Sequence, residues 1–134
     1  MTNDDGSAVV DFALVGGLLS LLFLSVVQLG LVVHVRNTLI DCAAQGARYG
    51  ARAGRAPSDG IARTRELVAL ELSAGYEARL SEVTADLVER SGVAAVEVRL
   101  RAPLPLVGLV GPAGELSVAG HAFAEQPATP LPPP

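Results

Sequence analysis

Phe12-Ala13-Leu14-Val15-Gly16-Gly17-Leu18-Leu19-Ser20-Leu21-Leu22-Phe23-Leu24-Ser25-Val26-Val27-Gln28-Leu29-Gly30-Leu31-Val32-Val33-His34-Val35 holds no charged side chain. Its only strongly polar members are Ser20, Ser25, Gln28 and His34. At about 1.5 Å per residue the run makes a helix of roughly 36 Å, enough to cross a hydrocarbon core of about 30 Å with some tilt. The expectation is a single N-terminal transmembrane helix over residues 7–35. A cleaved secretory signal would need a basic start, a shorter apolar core and a small-residue cleavage site behind it. Here the start, Met1-Thr2-Asn3-Asp4-Asp5-Gly6, is acidic and the apolar run is long, so a permanent anchor is expected.

Half of the 134 residues are apolar and the mean hydropathy is +0.42, an excess that sits mostly in this one block. Beyond it, residues 34–49 contain no proline and are rich in alanine, the best helix former, so the helix is expected to continue past the bilayer. Gly50, Gly54 and Pro57 should stop it, and Arg48, Arg52 and Arg55 suit the negative end of its dipole. Residues 36–56 therefore read as helix extension and linker.

A second helix is expected from Ile61 to about Arg90, because Ile61, Val68, Leu72, Tyr76, Leu80, Val83 and Leu87 recur at steps of seven, four and three. Asp86 and Arg90 have the supportive i,i+4 spacing, and Gly92 is a plausible stop. The period then becomes two: Val96, Val98, Leu100 and Ala102 alternate with Glu97, Arg99 and Arg101, as in a half-buried strand that Pro103 and Pro105 end. Leu116 to Ala124 is a second candidate strand after the turn-like Gly111-Pro112-Ala113-Gly114. The fold class is α+β: the membrane helix extends into a small extramembrane domain over 57–125, in which an amphipathic helix packs on an antiparallel β pair. The apolar loop at 104–110 is either core material or contact surface, and the tail at 126–134 is proline-rich.

Gly6-Ser7-Ala8-Val9-Val10-Asp11-Phe12 places a glycine before the apolar helix and a carboxylate five residues after it. This resembles the start of type IV pilin-like proteins, and more closely the TadE-like family of tight-adherence (Flp) pilus assembly proteins. Ala43-Ala44-Gln45-Gly46-Ala47-Arg48-Tyr49 is similar to the Gly-Ala-Arg segment that follows the membrane helix in that family. The resemblance extends from Gly6 to about Arg52. It implies a leader over 1–6, removed by a prepilin peptidase between Gly6 and Ser7, with Asp11 as the fifth mature residue. It also implies that Asp11 partners the free amine of a neighbouring subunit or of an assembly component. Glycine leaves the scissile backbone unhindered. The plainer alternatives are that Ser7 or Asp5 caps a helix and that Asp11 favours the helix dipole.

Family members commonly carry Glu where Asp11 stands, and commonly have a basic leader. The positive-inside rule would put Arg36 to Arg55 in the cytoplasm, whereas the family places its C-terminal domain outside; Arg48, Arg52 and Arg55 lie near the distance at which that rule weakens. Within the span, Gly16 and Ser20 form a small-xxx-small pair, and Ser25 and Gln28 share a face that can hydrogen-bond another helix. Such features suit assembly, although small residues are also simply tolerated in membrane helices.

Net charge is −4, with ten arginines and no lysine, so no basic field points to nucleic acid. Cys42 is the one cysteine and His34 and His121 lie far apart, so no disulfide within the chain and no Cys-based metal cluster is expected. No nucleophile elbow, phosphate loop or metal motif is present, and neither an enzyme nor a small-molecule substrate or cofactor is expected. The leading expectation is a minor pilin or pseudopilin at the cell membrane whose partners are the membrane, the prepilin peptidase and other pilus assembly proteins or pilin-like subunits. A membrane-tethered extracytoplasmic binding module unrelated to pili is the alternative.

Overall fold

A computed structural model of the chain describes residues 4–105 and 114–125. Helix α1 runs unbroken from Asp4 to Gly50, 47 residues. At about 1.5 Å per residue this is a rod of roughly 70 Å. Its first half stands apart from the rest of the protein: Phe12 is 81% exposed and Phe23 71%. Its second half enters the core through Val35, Leu39, Cys42, Ala43 and Ala47.

Helix α2, Pro57–Glu71, starts where Pro57 supplies a preset φ and no N–H that the first turn would leave unpaired. The Asp59 carboxylate accepts the Ala56 N–H at 3.0 Å, so an acid closes this helix start in place of a hydroxyl cap. Helix α3, Ala74–Glu77, is a single turn capped by Ser73, whose Oγ accepts the Tyr76 N–H at 3.0 Å.

Three antiparallel strands follow, β1 Glu82–Arg90, β2 Val93–Pro103 and β3 Glu115–Phe123, in the order β1-β2-β3. Helices α1 and α2 cover one face of the sheet, giving two layers. Val83, Ala85 and Leu87 of β1 and Leu116, Val118 and Gly120 of β3 share that face with Val96, Val98, Leu100 and Ala102 of β2. The opposite face carries Glu82, Thr84, Glu97, Arg99 and Arg101, with Glu97 between Arg99 and Arg90, the latter at 3.5 Å.

The α+β class, the single long apolar helix and the two expected strands match this structure, while the second helix does not reach Arg90. It ends at Glu71, and residues 82–90 form a third strand. Val83 and Leu87 fit a helical stripe, but with Ala85 they also fit a period of two, and pairing with β2 decides between the two periods. Arg90 accordingly meets Glu97 across the sheet rather than Asp86 along a helix. Gly92 stops no helix; with Ser91 it makes the two-residue turn between β1 and β2, at φ 79° and 54°. Two positive φ values are what a tight hairpin twisted like its strands requires.

Residues 36–50 are also more than an extension toward a linker, since they supply part of the domain's core. The apolar loop at 104–110 lies, beyond Leu104 and Pro105, outside the described residues, as do the turn at 111–113 and the tail at 126–134.

Candidate assembly helix and processing site

The expected site residues all lie on α1, and they divide into two sets with different surroundings. Gly6, Ser7, Asp11, Gly16, Ser20 and Ser25 are exposed and Gln28 is half-buried; Gly46 and Ala47 are buried and Arg48 is exposed.

Helix α1 is already helical at Asp4, so Gly6 and Ser7 lie within its first turns and neither Ser7 nor Asp5 is its N-cap. A Cβ added at Gly6 would meet nothing within 4 Å, and the same holds at Gly16, Gly17 and Gly30. Contacts with the described residues therefore give no reason for glycine at those four positions. Asp11 is one turn further on, on the exposed surface of the helix.

The hydroxyls in the span satisfy themselves. Ser20 Oγ donates to the Gly16 carbonyl and Ser25 Oγ to the Leu21 carbonyl, each at 2.8 Å. This back-bonding is how a hydroxyl is accommodated in a helix without another partner. Gly16 and Ser20 are thus joined by a hydrogen bond of their own, and at about 100° per residue Ser25 stands on the opposite side of the helix from them while Gln28 lies between the two sides.

In the second half of α1 the small residues have a visible reason. A Cβ on Gly60 of α2 would lie 2.7 Å from the Gly46 carbonyl oxygen, and one on Gly46 would collide with the Thr64 side chain. A Cβ on Gly120 of β3 would run into the backbone of Ala43 and Ala44. The segment from Ala43 to Ala47 is therefore held between α2 on one side and β3 on the other, at separations that only glycine allows. Thr64 is fully buried, and its hydroxyl donates to the Gly60 carbonyl at 2.8 Å. After β3 the chain ties back to the end of α1: Glu125 N–H donates to the Ala51 carbonyl at 2.8 Å and its carboxylate accepts the Ala53 N–H at 3.3 Å.

Cys42 is buried, and that burial, with Glu71 and Asp41 adding to it, pushes its thiol up to about 11. A thiol held protonated at neutral pH is a small apolar filler, the role the sequence suggests for it. Burial also raises the Tyr76 phenol, against an opposing pull from Arg79. Its hydroxyl donates to the Pro103 carbonyl at 2.8 Å, tying α3 to the end of β2.

Among the described residues no three His, Cys, Asp or Glu side chains are grouped to hold a metal ion. A depression of about 170 Å³ on the open sheet face is lined by Glu82, Thr84, Asp86, Arg99 and Arg101.

One long apolar helix running without a break into a small α+β domain fits a membrane-anchored protein, and among the described residues it is the single candidate span. The family described as TadE-like protein matches residues 6–48, from the glycine at the proposed cleavage point through the Gly46-Ala47-Arg48 segment. Over that stretch the chain is similar to TadE-like proteins, and the match supports a Tad pilus-associated protein. No curated protein and no solved structure matches the chain.

Proposed function

We propose that the chain is a minor pilin or pseudopilin that takes part in assembling a tight-adherence (Flp) pilus, with its C-terminal domain outside the cytoplasm. Prepilin peptidase cuts between Gly6 and Ser7, and the new amine on Ser7 becomes a partner for Asp11 of a neighbouring subunit or assembly component. The protein does no chemistry of its own; its work is insertion, processing and lateral packing of α1.

The observation that carries this reading is the coincidence of the TadE-like match with a helix whose first half makes no packing contact at its glycines. Gly6 needs another explanation than packing, and access to the scissile bond provides one. A bond inside a helix must unwind before a protease can hold it in extended form, and glycine costs a helix about 1 kcal/mol relative to alanine, which makes local unwinding easier. A carboxylate at the membrane edge is expensive to keep and usually has a partner, which suits the role given to Asp11.

Intact mass and N-terminal sequencing of the membrane-extracted protein, made with and without a cognate prepilin peptidase, test the reading. Loss of residues 1–6 that depends on the peptidase and is blocked by Gly6→Ala is the expected result. A chain left uncut under all these conditions would overturn it and favour a tethered binding module unrelated to pili.

A further inference from the structure

Where the end of α1 meets α2, a depression of about 310 Å³ is lined by Gln45, Arg48, Tyr49, Arg52 and Arg63. The first four stand at i, i+3, i+4 and i+7, the spacing that shares one helix face, and Arg63 comes from α2. Every side chain in this lining can donate a hydrogen bond, and none is a carboxylate. Arg52 and Arg55 lie over the Tyr49 ring, at 5.7 and 4.7 Å from its centre. A guanidinium laid on an aromatic ring keeps its N–H edge for a ligand, and its planar fork loses little freedom when one binds. The five ion pairs among the described residues involve none of Arg48, Arg52 and Arg55, while Arg63 meets Glu66 at 2.7 Å. In a chain of net charge −4 this is a local concentration of positive charge.

We propose that this depression binds a phosphate group carried by a water-soluble ligand. The donor set decides between oxyanions. Three guanidinium groups, an amide and a phenol offer more N–H and O–H groups than the two oxygens of one carboxylate can accept. A phosphate monoester brings three acceptor oxygens and a charge of about −1.5 to −2, and the arginine fork matches it bidentately. Position decides the source. At about 1.5 Å per residue Arg48 stands roughly 20 Å beyond Val35, the end of the uncharged run, whereas the polar layer of a bilayer is only about 5–8 Å deep on each side. Asp41 and Glu71 line the adjoining depression with Thr38 and Gln45, nearer the span, and repel anionic headgroups. The ligand therefore reaches the arginines from solution. It is held by charge and by N–H groups at an exposed surface, so its binding weakens as salt rises. This inference does not depend on the pilus reading. Because the lining comes from two helices, no local motif announces it.

Isothermal titration calorimetry of the full chain in a non-ionic detergent, at neutral pH and low salt, tests the proposal with inorganic pyrophosphate as the probe. Citrate, a carboxylate of similar charge, is the comparison and should bind about tenfold more weakly or worse. Arg48→Gln and Arg52→Gln should each weaken pyrophosphate binding by about tenfold. Arg52→Lys keeps the charge without the fork and should still weaken it several-fold. Arg79→Gln removes an equal charge from another arginine that lies over a tyrosine, Tyr76, and should leave the affinity unchanged. Protease resistance of the domain confirms folding of each variant, and two independent arginine positions keep the test decisive if one of them fails to fold. The titration is repeated in nanodiscs of phosphatidylcholine, with and without phosphatidylglycerol, and the affinity should be the same in both. Loss of binding in the anionic discs would give the site to bilayer headgroups and overturn the soluble source. No pyrophosphate binding, citrate binding as tight as pyrophosphate, or an equal loss with Arg79→Gln would each overturn the site.

Discussion

The two halves of α1 use glycine for opposite reasons. At Gly6, Gly16, Gly17 and Gly30 an added Cβ would meet nothing within 4 Å, whereas at Gly46 it would strike Thr64 of α2. The first half is an exposed apolar surface on which the described residues place no packing requirement. The second half is a core element whose requirements are met inside the domain, by Gly60 and Gly120 at its flanks. One unbroken helix thus joins a segment that makes almost no contact with its own chain to one that makes many. A force or displacement applied to the span reaches the domain through continuous helix, with no hinge between Asp4 and Gly50.

The contrast is broken most directly by giving both halves the same substitution. Gly46→Val forces a branched side chain into a contact where a bare Cβ already collides, and overpacking of this kind costs about 3 kcal/mol. Gly16→Val points into open space and should leave domain stability within about 0.5 kcal/mol of the parent. Thermal unfolding of the two variants in detergent, followed by protease resistance of the domain, measures the difference. Equal effects would mean that the close crossing of α1 with α2 is not what holds the domain.

The membrane half was legible because its signal is composition over a long run, which no tertiary contact has to reinforce. Strand β2 was legible for a similar reason, since Val96 to Ala102 alternate without exception against Glu97, Arg99 and Arg101. Strand β1 was not. Its inward residues Val83, Ala85 and Leu87 include a weak alanine, and Leu87 remains 63% exposed, so the alternation is faint and the helical spacing of its neighbours outcompetes it. What settles β1 is its nine-residue pairing with β2, a contact between segments that local periodicity does not encode. The Gly46-Ala47-Arg48 segment was visible as a motif, but its physical reason was not: Gly60 and Gly120 meet it from two different elements. Gly60 stands just before the helix expected from Ile61, and Gly120 interrupts a strand, a position where close approach of another backbone is one of the few explanations.

The same comparison is sharpened by pH. Cys42 sits on the buried side of α1, and its thiol is raised from 9.0 to about 11. The folded state therefore holds its proton more tightly than the unfolded chain does. The stabilisation is fully present below pH 9.0 and is lost as pH rises toward about 11. The raised Tyr76 phenol acts with the same sign. Unfolding measured between pH 8 and 11 should show a decline of no more than about 2–3 kcal/mol attributable to the thiol, and Cys42→Ala should flatten it. At neutral pH the thiol should react with an alkylating reagent only after denaturant is added. Prompt reaction of the folded protein would show that the extension does not pack as a core element.

The smallest expected effect tests how firmly the far end of the domain is fixed. Tyr76→Phe removes the hydroxyl that donates to the Pro103 carbonyl while keeping the ring in the core. The expected loss is about 1 kcal/mol, that of one partly buried hydrogen bond whose carbonyl partner stays behind. Chemical denaturation should register it as a lower midpoint with an unchanged slope, because the area exposed on unfolding is the same. A lowered slope as well as a lowered midpoint would mean that the sheet end opens apart from the rest of the domain once this hydrogen bond is gone.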